Sequence, residues 1–126
     1  MFTKDDLIYS YSRAQAIEDG VLVDVSEVAQ EAGFLWPVAL TQAAWATIEA
    51  VPLKLQGLQE VQGRLWDTLY TLRHLAARHG GQEIRYKVIM DRNENGHRLR
   101  YLTLKAVCGP GDDHEPVITI MLPHED

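Results

Sequence analysis

The sequence predicts an α+β fold in which helices pack on one face of a three-stranded antiparallel β-meander. Three observations lead to it. Leu58, Val61, Leu65, Leu69, Leu72 and Ala76 step by three and four residues, as one apolar face of a long helix would. After Gly80-Gly81, three stretches alternate apolar and polar residues, the period of half-buried strands. The first half reads instead as shorter helices separated by glycine and proline.

Taken in order, Thr3 is the expected N-cap of a helix over about 4–18, with Asp5 and Asp6 complementing its positive end. Leu7, Ile8, Tyr11, Ala14 and Ile17 form its stripe, and Gly20 ends it. Val21–Val25 is β-branched and alternates, as a short strand or extended segment does. Ser26 is the expected cap of a short helix, Glu27–Ala32, closed by Gly33. Pro37 suits the first position of a helix over about 37–50 that buries Leu40, Ala43, Ala44 and Ile48. Val51-Pro52 ends it, because a residue before proline is biased away from helical dihedrals. The long helix covers about 57–79, with Arg64, Arg73 and Arg78 outside its apolar stripe.

In the first strand Ile84, Tyr86, Val88 and Met90 share one face, and Glu83, Arg85, Lys87 and Asp91 the other. The turn after it uses Asn95-Gly96 for positive φ. The second strand, Arg98–Val107, points Leu102, Leu104 and Ala106 inward and Tyr101, Thr103 and Lys105 outward. The third, Val117–Leu122, gives Ile118, Ile120 and Leu122 to the core. Val117, Thr119 and Met121 then lie beside Ile89 and Tyr101 on an outer face apolar enough to point to a homodimer through the sheet.

The chain has 126 residues, 46% of them hydrophobic and 24% charged, the make-up of one soluble globular domain spanning 1–126. No apolar run is long enough for a membrane helix, and the N-terminus lacks a signal-peptide pattern. With one cysteine, Cys108, an internal disulfide is ruled out, which fits a reducing cytoplasm. The net charge of −6 is unevenly distributed. Residues 1–63 carry 3 basic and 9 acidic side chains, 64–105 carry 9 and 4, and 106–126 carry 0 and 5. Such a pattern either complements itself within the fold or steers a charged partner.

Candidate sites follow from those charges. Asp112, Asp113, Glu115, Glu125 and Asp126 are acidic partner-binding candidates, with no neighbouring cation in the local sequence to answer them. The turn Gly109–Glu115 departs from EF-hand spacing and offers too few oxygen ligands, so no metal is expected. Arg85, Lys87, Tyr101 and Lys105 are basic sheet-face candidates, since basic groups with an exposed aromatic can hold single-stranded nucleic acid. VAQEAG and the stretch after it are similar to a helix-turn-helix. The would-be recognition end, however, is Phe34, Leu35, Trp36, Pro37 and Val38, with acidic neighbours. Cys108 lacks a local catalytic signature and reads as a small, buried or half-buried residue. His74 and His79 are five apart, not the four that puts two ligands on one helix face. No catalytic residues, cofactor or metal are expected, and the reading is of a protein that is not an enzyme.

Two stretches, Ile8–Phe34 (IYSYSRAQAIEDGVLVDVSEVAQEAGF) and Leu102–Asp126 (LTLKAVCGPGDDHEPVITIMLPHED), resemble a family of small uncharacterised bacterial proteins, a domain of unknown function often carried by plasmids, integrative elements and phages. The resemblance implies a cytoplasmic accessory protein of a mobile genetic element, with no catalytic residues to carry over. With the acidic surfaces it implies a small binding protein whose partner is a host protein or complex, such as a CRISPR or restriction assembly. Nucleic-acid binding through the basic sheet face is the alternative.

Overall fold

The computed structural model describes residues 11–50, 61–78, 81–92 and 99–126. Within them lie α1 (Arg13–Glu18), β1 (Leu22–Asp24), α2 (Ser26–Glu31), β2 (Val38–Thr41), α3 (Gln42–Glu49), α4 (Val61–Arg78), β3 (Glu83–Arg92), β4 (Leu99–Pro110) and β5 (Pro116–Met121). The Thr3 cap, Asp5, Asp6, Leu7, Ile8, Leu58 and the Asn95-Gly96 turn fall outside the described residues.

The fold is α+β, but its sheet is larger than the sequence suggested. Five strands run in the order β1-β2-β5-β4-β3. The expected meander of β3, β4 and β5 is present and antiparallel throughout. To it are added β2, parallel to β5, and β1, antiparallel to β2, so the sheet is mixed. β2 corrects a helix expected to start at Pro37. Val38, Ala39 and Leu40 are buried on both sides of the sheet and do not alternate, which leaves no strand signature in their sequence. The helix starts at Gln42 instead, where the Thr41 hydroxyl accepts the Ala44 amide at 3.2 Å.

Helices cover both faces, not one. On the inner face α2, α3 and α4 bury Ala29, Ala44, Ile48, Leu65, Leu69 and Leu72 against Val38, Leu40, Tyr86, Val88, Leu104, Ala106 and Ile120. Arg64 was expected outside this packing but is buried in it. It donates to the carbonyls of Ile48 (3.0 Å) and Ala50 (3.3 Å) at the C-terminal end of α3, and to Met90 (3.3 Å) in β3. On the outer face α1 packs against β1. Ala16, Ala39, Val117 and Met121 are buried there, apart from the main cluster. Of the outer-face residues that made a homodimer through the sheet plausible, Val117 and Met121 are buried, and Ile89 and Tyr101 stay exposed.

Both α1 and α2 close with a glycine in the left-handed region, Gly20 at φ +80° and Gly33 at φ +105°. In each, the next two amides fold back onto the last turn: Gly20 to Ile17 and Val21 to Ala16, Gly33 to Gln30 and Phe34 to Ala29. These stops were legible in the sequence. The stripe of α1 was not, because Ala14 is exposed and Ala16 is the buried residue.

Candidate functional site

The outer sheet face is divided. Toward β1, β2 and β5 it is covered by α1 and by Arg13, whose guanidinium donates to Thr119 Oγ1 (2.7 Å) and to the Ile118 carbonyl (2.9 Å). Burial lowers the Arg13 pKa, while the carboxylates of Asp24, Asp112 and Glu115 oppose that shift. Arg13 is therefore the cation that answers the acidic turn; it is remote in sequence and adjacent in space.

Toward β4 and β3 no described helix covers the same face. Register places Arg85 opposite Lys105, Lys87 opposite Thr103 and Ile89 opposite Tyr101. Arg85, Lys87, Ile89, Tyr101 and Thr103 are all exposed, Tyr101 at 56%. The structure thus brings together three of the four basic-face candidates. Lys105 points to that face as expected but is buried, its Nζ donating to the Glu125 carbonyl, so it is withdrawn from the surface. Glu83 forms a 3.3 Å ion pair with Arg85 at one end of this strip, exposed to solvent and weak.

The acidic candidates serve several separate roles. Asp112 accepts the amides of Arg13 (2.7 Å) and Ala14 (3.0 Å) at the start of α1, and these bonds lower its pKa. Glu115 bends back across the turn to accept the Asp113 amide at 3.0 Å. Glu125 accepts the Thr41 hydroxyl at 3.0 Å. Asp113 and Asp126 are exposed. Among the described residues no group of three His, Cys, Asp or Glu side chains is arranged to hold a metal ion.

On the inner face, a cavity of about 260 Å³ opens between the Phe34–Trp36 segment, the end of α4, and β3, β4 and β5. Half-buried Cys108 lines it. The helix-turn-helix likeness fails here, because the segment after α2 is the strand β2, so no second helix can enter a groove. Sequence reasoning missed a row of rings along α4. Trp66 stacks on Tyr70 at 5.8 Å, and Tyr70 meets His74 at 4.3 Å; their spacing of four was the available signal. No described helix is long and apolar enough to cross a membrane.

The fold and this half-open sheet define a small α+β protein with a two-sided charge layout. The chain belongs to a family of unknown function, DUF6573, which matches residues 1–126 in full. No curated protein and no solved structure matches it.

Proposed function

We propose that this protein works by binding and not by catalysis, and that its contact surface is the half-sheet of β3 and β4. One observation carries this reading: Arg85, Lys87, Ile89, Tyr101 and Thr103 are left exposed on a sheet face that the chain covers elsewhere with α1. The partner this surface fits is single-stranded nucleic acid. Arg85 and Lys87 supply phosphate contacts, and Tyr101 supplies a ring on which a base can stack. The charge distribution supports the same partner. The sequence from Arg85 to Lys105 holds 6 basic and 2 acidic residues in a chain of net charge −6, although Lys105 itself is buried.

Fluorescence anisotropy with single-stranded DNA and RNA at low salt tests this. Binding should weaken steeply as salt rises, and Arg85→Glu with Lys87→Glu should abolish it. Tyr101→Ala should cost about 1–3 kcal/mol of binding free energy. Absence of binding to either strand at low salt would sink the reading.

A second reading rests on the opposite edge. Asp24, Asp112 and Glu115 gather around Arg13, and Glu18, Asp19, Glu27 and Glu31 are exposed on the neighbouring helices. An acidic edge of this kind fits the basic groove of a host nucleic-acid-processing or defence complex, in keeping with the mobile-element setting that the sequence resemblance implies. Salt-sensitive capture of such a complex, lost on Glu27→Lys with Glu31→Lys, would favour it over the first.

A further inference from the structure

The cavity on the inner face is built, and its walls are fixed by hydrogen bonds from neighbouring elements. On one side the segment Gly33–Pro37 is held at three points. Arg73 Nε donates to the Gly33 carbonyl at 3.1 Å, the Phe34 amide to Ala29 at 2.9 Å, and the Ile118 amide to the Pro37 carbonyl at 2.9 Å. On the other side the Cys108 amide donates to the Gln82 carbonyl at 2.8 Å. A space of about 260 Å³ bounded this way is a pre-formed pocket, not slack packing.

The chemistry of the lining narrows the occupant. Phe34, Trp36, Leu72 and Ile84 give it apolar and aromatic walls, and Ala76 and Ala106 leave the room. Among the described residues that line it, Gln82 carries the one amide side chain and none is charged, so a charged ligand finds no described counter-ion in it. A dry apolar cavity of about 150 Å³ accommodates a benzene ring, which sets the scale here at a flat molecule of about ten to twelve non-hydrogen atoms.

We infer that this pocket is a binding site for a small, uncharged aromatic ligand, lying flat beside Trp36 with its edge toward Cys108. The site lies on the opposite side of the sheet from the β3–β4 surface and is independent of the function proposed for that surface.

Cys108 is the chain's one cysteine, which makes its alkylation by N-ethylmaleimide a reporter specific to the pocket. The probes are indole and 2-naphthol, titrated first by isothermal calorimetry and then used to protect the thiol. At ten times the measured Kd the alkylation rate should fall about tenfold, since only the unoccupied fraction reacts. Benzenesulfonate, of similar shape but charged, should give no protection. Ala76→Leu, on an exposed helical position at the pocket wall, should abolish binding with an unchanged circular dichroism spectrum. Cys108→Ser should still bind 2-naphthol by thermal shift. Unchanged alkylation of the wild-type protein at saturating indole and 2-naphthol, or equal protection by benzenesulfonate, would overturn the assignment.

Discussion

The carboxylate of Asp112 accepts the backbone amide of Arg13 at 2.7 Å, joining the β4–β5 turn to the start of α1 across 99 positions of sequence. A second oxygen takes the amide of Ala14 at 3.0 Å, and the Ser12 hydroxyl takes that of Gln15 at 3.0 Å. The first three amides of α1 are thus all satisfied, two of them by a residue from the other end of the chain. A six-residue helix has little stability of its own, so its place on the sheet depends on this clamp and on the Arg13 side chain.

Asp112→Ala should therefore release α1. The expected signs are faster hydrogen exchange at the Arg13 and Ala14 amides and a lower Tm, with Asp112→Asn intermediate because one acceptor oxygen remains. The pH dependence follows from the lowered pKa of this carboxylate, whose ordinary value is 3.8. Its contribution is complete above that value and is lost as pH falls through the lower, folded-state value. Thermal melts of wild type and Asp112→Ala should differ at neutral pH and converge in acid. Melts that differ equally at both ends would show that the charge on Asp112 is not involved.

The same clamp shows why part of the molecule was hidden in its sequence. Strands β3, β4 and β5 alternate because one side packs on the core, and Tyr86, Val88, Leu104 and Ile120 declare that side. Val38–Leu40 lies inside the sheet, so its run of apolar residues looks the same whether it forms a strand or a helix, and Pro37 tips it toward a helix. Its pairing with Ile118–Ile120 is about 80 positions away, which no local pattern reports. Arg85, Lys87 and Tyr101 could be placed on one face from alternation alone. The burial of Lys105 could not, because it depends on the Glu125 carbonyl reaching over the β4 strand. The cavity was equally out of sight, since it forms where five separate segments meet.

Tyr86 carries a second prediction. Its hydroxyl is buried on the inner face and has no hydrogen-bond partner among the described residues. Burying an unpaired hydroxyl costs free energy, so Tyr86→Phe should be neutral or stabilising by about 1 kcal/mol in urea denaturation. Burial also pushes the Tyr86 pKa far above the usual phenol value of 10.0. A raised folded-state pKa gives stability that is complete below the unfolded value and is lost as pH rises past it. Wild type should thus lose stability above pH 10.0 faster than Tyr86→Phe does. A destabilised Tyr86→Phe protein would mean that the hydroxyl does have a partner.

Arg64 is the residue whose removal should damage the fold most. Its guanidinium reaches three backbone carbonyls, at Ile48, Ala50 and Met90, and so holds the end of α3, the body of α4 and the strand β3 together. The first two carbonyls lie at the negative end of α3, where a cation is favoured. Arg64→Ala would remove its hydrogen bonds to these carbonyls and open a void in the packing, so a loss of roughly 3 kcal/mol is expected. Arg64→Met separates the two causes, because it keeps the apolar stem and removes only the donors. Urea denaturation should place Arg64→Met between wild type and Arg64→Ala. A loss under about 1 kcal/mol for Arg64→Ala would show that water replaces the guanidinium without strain and that α3 is held by its apolar contacts alone.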